Sequence, residues 1–274
     1  MGQNKLFEFT KDGSACVIHS PNPPRHWYNY LWNDLGYCAQ ISQFGHGRSY
    51  TLNEKGDMCM LNRDAARHIY LRDEHSGSCW NASGGPMQET VSEYSCVHAL
   101  DHTQISSEKD GIFAEWLLFV PTDAAAECWR LRLENRSGRP RMISVFPQVS
   151  FSLDGFAHPR YYEMYRCIET SFDEKLNGIY CRSAHPFAPH DRYNAYLASS
   201  EPVRAWDGDL TAFCGTLSTR TELDTSSTAL YQQPETLVSG RDCSNTDAAL
   251  FIPGAVLQHT ITLLPGERRE IRLV

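Results

Sequence analysis

The chain has 274 residues, of which 41% are hydrophobic and 21% charged, and its formal net charge is −8. This composition is typical of a globular protein with a sizeable core, while the negative charge argues against nucleic-acid or anionic-membrane partners, which require basic patches. No apolar run approaches the ~20 residues of a membrane span, and residues 1–9 lack the apolar core of a signal peptide. We therefore predict a soluble cytoplasmic protein. Its length predicts one domain over residues 1–274.

The first predicted elements are two short strands between Phe7 and Ile18, joined by a turn at Lys11–Ser14. The proline-rich segment Pro21–Pro24 then ends regular structure. The aromatic stretch His26–Asn33 follows, with two Trp, two Tyr and two Asn. These side chains could stack on sugar rings and bond their hydroxyls, or they could close the end of a β-sandwich, which is the commoner use of large aromatics after such a turn.

The next region combines a predicted strand at Gly36–Phe44 with a glycine-rich turn at Gln43–Tyr50. Gly45 and Gly47 in that turn could let the backbone approach a ligand, but a β-bulge or tight turn with positive φ is the commoner use of a Gly-x-Gly. A dinucleotide site is not predicted, because the third glycine and the strand-to-helix context are missing. Ile69–Asp73 is a further predicted strand.

The centre of the chain predicts an antiparallel β-meander. Its segments have strand length, and turn-forming sequences such as Asp110-Gly111 separate them. They are Tyr94–Leu100, Thr103–Lys109, Ile112–Pro121, Glu127–Asn135 and Arg141–Leu153.

Beyond the meander, the polar and aromatic loop Asp154–Tyr162 leaves the sheet, and loops of this kind often carry function. Asp207–Gly215 predicts one or two capped helical turns, with Asp209 accepting backbone N–H bonds at the start and Gly215 at the end. Thr216–Thr246 has the composition of a long surface excursion. The remaining predicted strands are Arg166–Phe172, Gly178–Arg182, Asn194–Ser199, Ala255–Leu264 and Glu267–Val274. We therefore predict an all-β fold, a large antiparallel β-sandwich with at most one or two short helices.

Ten cysteines are scattered along the chain without a Cys-x-x-Cys pair, which favours buried reduced thiols over a disulfide scaffold. The nearest approach to a metal-binding spacing is Cys96 with His98 and His102. A second ligand pair in register is missing, so no metal is predicted.

No sequence pattern identifies a catalytic set. A Gly-x-Ser-x-Gly elbow is missing, and 33 acidic residues supply too many candidate pairs to predict a glycosidase. A sugar epimerase built on a β-sandwich would need a His acid facing a carboxylate base. His98, His102, His158 and Glu115 are candidates, although each is more typical of a surface or strand-packing residue.

Several separated segments share their order and spacing with one known family. The strongest is the hairpin sequence Glu127–Arg141. The others are Asn29–Leu31, Gln43–Tyr50, Tyr70–Asp73 with Gly77 and Trp80, Phe119–Pro121, Asp209 with Phe213 and Gly215, and Leu264–Glu267. From about Pro23 to Val274 the chain thereby resembles the N-terminal domain of glycoside hydrolase family 94, which contains cellobiose, chitobiose and related β-glycoside phosphorylases.

The resemblance implies a β-sandwich of the galactose-mutarotase-like type, followed in that family by a helical linker and an (α/α)6 barrel. The barrel carries the Asp general acid and the phosphate-binding groups, and the sequence ends before it. We therefore expect the chain alone to be inactive and to need the barrel in cis or in trans, with inorganic phosphate as co-substrate and no cofactor. Segment Phe251–Gly254 departs from the family pattern as an apparent insertion.

In the resembled family the sandwich supports dimerisation and lends loops to the rim of the active site. By that analogy we predict sugar contacts near the glycine-rich turn and in the loop Asp154–Tyr162, with a purely structural lid as the alternative. The candidates are Trp27, Tyr30, Arg48, Tyr50, His158, Arg160 and Tyr161.

The predicted function is that of a non-catalytic, carbohydrate-contacting and dimer-supporting domain of a β-glycoside phosphorylase. Its predicted partners are a β-linked gluco-oligosaccharide or disaccharide, the helical barrel and a second copy of the chain. The alternatives are a stand-alone mutarotase-like sugar epimerase and a freestanding carbohydrate-binding module.

Overall fold

The computed structural model describes residues 5–52, 56, 58–62, 67–87, 90–155, 168–183, 194–215, 231–249 and 252–274. Within these ranges the chain consists of β-strands with two short helices, so the predicted all-β class is confirmed. The strands are β1 Phe7–Phe9, β2 Ala15–Ile18, β3 Tyr28–Trp32, β4 Cys38–Ser42, β5 Ser49–Leu52, β6 Met58–Asn62, β7 Arg67–Asp73, β8 Cys79–Asn81, β9 Ser92–Ala99, β10 Thr103–Lys109, β11 Ile112–Phe119, β12 Cys128–Asn135, β13 Arg141–Ser150, β14 Asp154–Gly155, β15 Ile168–Asp173, β16 Gly178–Ser183, β17 Asn194–Ala198, β18 Ala205–Asp209, β19 Ala248–Ala249, β20 Pro253–Leu263 and β21 Arg268–Leu273. The helices are α1 Leu210–Cys214 and α2 Glu235–Val238.

These strands form four sheets with antiparallel pairing between neighbours. The sheet orders are β1-β2-β9-β10-β11-β12-β21, β18-β20-β13-β7-β8, β14-β6-β5-β4-β3 and β17-β16-β15-β19. The predicted meander is confirmed over β9 to β12, which follow one another in the first sheet. The predicted fifth run, β13, instead pairs with β7 and β20 in the second sheet.

The main core follows from strict alternation along the meander. In β11 the residues Ile112, Ala114, Trp116 and Leu118 are all fully buried, and the residues between them are half-buried. Because successive side chains of a strand point to opposite faces, one face of the first sheet packs inward. It shares one apolar cluster with the third sheet, represented by Ile41, and with buried residues of the other two sheets.

A second, smaller core covers the other face of the second sheet. Asp209 caps α1, since its Oδ1 accepts a hydrogen bond of 2.9 Å from Thr211 N, as predicted. The expectation that Thr216–Thr246 is only a surface excursion is wrong for its described part. Tyr231 and Leu237 are fully buried there and belong to one apolar cluster with Phe213 and Phe146. The expectation failed because the many polar residues of the segment concealed these two large apolar side chains.

Five of the nine cysteines in the described ranges are buried and the other four are half-buried, and all nine are free thiols. Burial raises the pKa of the most enclosed thiols, such as Cys96, because desolvation disfavours the thiolate. These cysteines therefore act as small apolar side chains. No helix within the described ranges is long and apolar enough to cross a membrane.

Candidate functional site

The glycine-rich turn lies between β4 and β5, and both of its glycines have positive φ. Gly45 has φ 82° and Gly47 has φ 130°. A Cβ on Gly47 would lie 2.0 Å from the carbonyl oxygen of Gln40, so a larger residue cannot occupy that position without moving the backbone. The predicted need for positive φ at this turn is confirmed.

The buried Arg67, at the start of β7, holds this turn from inside the protein. Its Nη1 donates to the carbonyl oxygens of Gln40, Gly45 and Gly47 at 3.1–3.3 Å. Its Nε lies 2.7 Å from Oε1 of Glu127, and its Nη2 donates to Oε2 of the same carboxylate at 2.9 Å. The turn is thereby tied to the start of β12.

Glu127 has no remaining open acceptor position in this network. Besides Arg67, it accepts hydrogen bonds from Ser49 Oγ at 3.0 Å and from Trp129 Nε1 at 2.6 Å, and Tyr37 OH lies 3.5 Å away. Burial first, and then the charge of Glu127, raise the pKa of Tyr37 well above its ordinary value, so its hydroxyl stays neutral. A carboxylate held by these donors is a structural group and not a free general base.

A cavity of about 280 Å3 adjoins this ion pair. Its described lining includes apolar side chains such as Leu61 and Phe151 together with Asn62 and Tyr196. The charged groups at its wall already bind one another, so the cavity presents few open polar partners to a ligand.

Histidine packing closes the opposite side of the turn. The ring of the buried His46 lies 4.9 Å from that of His68, which in turn contacts the rings of Tyr70 and Tyr231 at 5.3 and 4.7 Å. The centre of the turn therefore faces protein on both sides.

His98, one of the candidate acids, packs inside the sandwich and positions Trp27. Its Nε2 donates to the carbonyl oxygen of Trp27 at 3.2 Å, and its Nδ1 lies 3.1 Å from Thr103 Oγ1. Burial lowers the pKa of His98 to about 4. The imidazole is therefore neutral at pH 7 and has no carboxylate partner among the described residues.

The other candidates do not complete an acid and base pair with His98. Glu115 lies on the outer face of the first sheet, where its Oε1 is 3.3 Å from Arg130 and 3.4 Å from Arg132. His102 bonds the neighbouring Asp101 at 2.7 Å. His158 lies outside the described residues, and the described ranges hold no group of three His, Cys, Asp or Glu that could bind a metal.

The structure separates the sugar-contact candidates that it describes. Tyr30 and Tyr50 lie on the outer face of the third sheet, whereas the half-buried Trp27 packs against Phe7, with ring centroids 4.6 Å apart. Arg48 is half-buried in the glycine-rich turn. The remaining three, His158, Arg160 and Tyr161, lie outside the described residues.

Sequence reasoning missed the partnership of Arg67 with Glu127. The available signal was weak, because Arg67 precedes the apolar run Ile69–Leu71 and an arginine there is also typical of a strand end. The two residues are 60 positions apart, and the strands next to them, β7 and β12, belong to different sheets, so no local pattern predicts their contact.

Comparison with known proteins gives one family match and several relatives. The family model for the glycosyl hydrolase 94 supersandwich domain matches residues 14–274. A solabiose phosphorylase of Paenibacillus borealis is 31% identical over 267 residues, and a 3-O-beta-D-glucopyranosyl-beta-D-glucuronide phosphorylase of the same organism is 30% identical over 271 residues. An N,N'-diacetylchitobiose phosphorylase of Vibrio furnissii is 27% identical over 274 residues.

These matches cover 94%, 95% and 97% of this chain but 33%, 32% and 32% of the respective relatives. The chain thus spans about a third of the length of the curated relatives it matches.

Proposed function

Because the chain belongs to the glycosyl hydrolase 94 family through its supersandwich domain, we propose that it is a non-catalytic, carbohydrate-contacting and dimer-supporting domain of a β-glycoside phosphorylase. The observation that carries this proposal is the family match over residues 14–274. The domain would work with a helical-barrel catalytic domain in cis or in trans, which would transfer a glycosyl group to inorganic phosphate with inversion. Organisation as one domain and a cytoplasmic location belong to the same proposal.

The chemistry of the described residues supports a role without turnover. Glu127 is bound by the side chains of Arg67, Ser49 and Trp129. Glu115 lies between two arginines. His98 is neutral and donates to a backbone carbonyl oxygen. General acid and base catalysis needs a titratable group within reach of substrate, with a pKa near the working pH. Glu127 and Glu115 are already bound by other side chains, and the pKa of His98, lowered to about 4, is far below neutral pH.

Sugar contact is proposed for the seven candidate residues, and two of them support it by position. Tyr30 is 58% exposed, and its hydroxyl accepts a hydrogen bond from Gln40 Nε2 at 3.2 Å. Tyr50 shares the same sheet face. An exposed aromatic ring with an oriented polar edge suits a pyranose ring, which offers an apolar face and peripheral hydroxyls.

The proposal is tested by incubating the purified chain with inorganic phosphate and, separately, solabiose, N,N'-diacetylchitobiose and cellobiose. We expect no sugar 1-phosphate from any of them. Release of sugar 1-phosphate by the chain alone would overturn the non-catalytic assignment. A relative's intact phosphorylase assayed in parallel establishes that the conditions support turnover.

Two further measurements separate the alternatives. Polarimetry of freshly dissolved α-D-glucose or α-D-galactose should show no acceleration of mutarotation, whereas acceleration would favour a mutarotase-like enzyme. Calorimetric titration with gluco-oligosaccharides tests sugar contact directly, and its loss in Tyr30→Ala would place the contact on the outer sheet face.

A further inference from the structure

The cavity beside the buried ion pair lies where all four sheets meet. Its volume is about 280 Å3, whereas packed protein interiors contain few voids larger than a water molecule. Each sheet contributes to its wall. The contributing residues include Thr51 and Leu61 of the third sheet, Val149 of the second, Trp129 of the first and Leu197 of the fourth. Because the walls belong to different hydrogen-bonded sheets, closing the cavity would require whole sheets to shift.

Most of the wall is apolar and shielded from bulk water. Phe151, Trp129 and Leu197 are only 3–7% exposed. An apolar cavity of about 150 Å3 stays dry and binds benzene, so a cavity of nearly twice that volume has room for roughly two fused rings. Tyr196 is 46% exposed and Asn194 is also exposed, so these two residues of the lining border its opening to solvent.

One buried polar side chain of the lining keeps an open donor. Asn62, at the end of β6, is 4% exposed, and its Oδ1 accepts a hydrogen bond of 2.5 Å from Ser49 N. Its Nδ2 donates to none of the residues that the structure describes. A buried N–H group without an acceptor is costly. An oxygen atom of a ligand in the cavity would supply the missing acceptor.

The charges at the wall favour a neutral occupant. Arg67 Nε lies 2.7 Å from Glu127 Oε1, and Arg67 Nη2 donates to Glu127 Oε2 at 2.9 Å, so the two charges neutralise each other. A charged molecule would therefore leave water without meeting a counter-charge. A sugar would bring several hydroxyl groups to a wall where Tyr37 and Ser49 already bind Glu127. Most of those hydroxyls would lose their hydrogen bonds to water without replacement.

We propose that this cavity is a binding site for a neutral, mainly apolar molecule of about two fused rings, with one carbonyl or ether oxygen that accepts a hydrogen bond from Asn62 Nδ2. The site is separate from the sugar contacts and the dimer of the proposed function and depends on neither. Its occupant would contact the support of the glycine-rich turn, because Asn62 bonds Ser49 in that turn.

The test is a titration of the 274-residue chain, labelled with 15N at its tryptophan indoles, with coumarin, a neutral two-ring lactone. The indole N–H of Trp129 reports from the cavity wall, and Trp129→Phe identifies its NMR signal among those of the six tryptophans. We expect a saturable shift of that signal with a Kd of about 0.1–1 mM, as expected for a ligand of this size. The exposed Trp32 reports non-specific contact and should show no saturable shift. Coumarin-3-carboxylate and D-glucose should leave the Trp129 signal unchanged.

Two variants of one loop place the ligand in the cavity. Ala126→Leu inserts a larger side chain into the lining and should weaken coumarin binding at least about tenfold. Ala124→Leu is the matched control, since Ala124 is also half-buried but lies outside the lining, and it should leave binding unchanged. Asn62→Asp keeps an acceptor for Ser49 N but removes the donor, so it should also weaken binding at least about tenfold.

Each contrary result overturns a defined part of the proposal. A Trp129 signal that shows no saturable shift at millimolar coumarin overturns the site, and an equal shift with coumarin-3-carboxylate overturns the neutral class. Unchanged binding in Ala126→Leu or in Asn62→Asp, folded by circular dichroism, overturns the placement or the role of the amide. If a variant does not fold, nuclear Overhauser contacts in the unmodified chain decide the placement. Coumarin without contacts to the methyl groups of Leu61 and Leu197 would then lie elsewhere.

Discussion

At the scale of single residues, the glycine-rich turn is held by buried polar groups that already satisfy one another. The guanidinium of Arg67 donates hydrogen bonds to three carbonyl oxygens, to Ser49 and to Glu127. Removing one partner of a buried ion pair leaves an uncompensated charge, which typically costs ~3–5 kcal/mol. The pair therefore maintains the geometry of the turn, and its strength gives no evidence of catalysis.

His98 should make the stability of the protein depend on pH below neutrality. The unfolded chain binds a proton near pH 6.5, whereas in the folded chain burial lowers the pKa of His98 to about 4. As the pH falls from 6.5 to 4 the unfolded state gains the proton first, so the free energy of unfolding should decrease by about 2 kcal/mol after allowance for partial solvent exposure. Urea unfolding at pH 7 and at pH 4.5 measures this loss.

The variant His98→Gln provides the control for that pH dependence. Glutamine keeps a donor for the carbonyl oxygen of Trp27 but does not titrate, so the difference in stability between the two pH values should shrink. Part of it should remain, because burial also lowers the pKa of His259 and gives a loss of the same sign. An unchanged pH dependence in His98→Gln would contradict the assignment to His98.

At the scale of secondary structure elements, Gly47 is the position where the turn tolerates no side chain. Gly47→Ala should lower the free energy of unfolding by about 3 kcal/mol or more, because φ 130° and contact with the Gln40 carbonyl act together. Gly13→Ala is the matched control, since Gly13 has φ 73° with no atom within 4 Å of an added Cβ. It should cost only about 1–2 kcal/mol.

Urea midpoints of the two variants measure this difference. Equal losses at the two positions would mean that the turn relaxes around the added methyl group, and that close backbone approach does not explain the glycine at position 47.

The elements that sequence reasoning found are those whose signal is local. Alternation from Ile112 to Leu118 predicts a strand with one buried face, and Asp110-Gly111 predicts the turn before it, where both residues have positive φ. Asp209 was recognised as a helix cap for the same reason. Each of these features depends on a few neighbouring residues.

The features that were missed depend on residues far apart in the chain. The pairing of β13 with β20 joins Arg141 to Leu263, and no local pattern specifies that partner. Tyr231 was hidden in a polar segment because its burial depends on the ring of His68 and on the hydrogen bond from Tyr70 to its carbonyl oxygen. The outward face of β3 was likewise open from sequence, since the bonds made by Asn29 decide it.

At the scale of the whole molecule, the distribution of charge separates two kinds of surface. Arginines and glutamates pair across the outward side of the first sheet, whereas Tyr30 and Trp32 are the most exposed side chains of β3 in the third sheet. The chain that carries these two kinds of surface matches a supersandwich domain and spans about a third of the length of its relatives.

The net charge predicts how the proposed dimer responds to salt. Two copies of net charge −8 repel each other at long range. Raising the NaCl concentration from about 0.02 to about 0.5 M shortens the screening length from roughly 20 Å to a few ångströms, so the dissociation constant of the dimer should fall several-fold. Sedimentation velocity at the two concentrations measures it. A dimer that dissociates as salt is added would contradict this prediction and would show that charge pairs between the two copies hold it together.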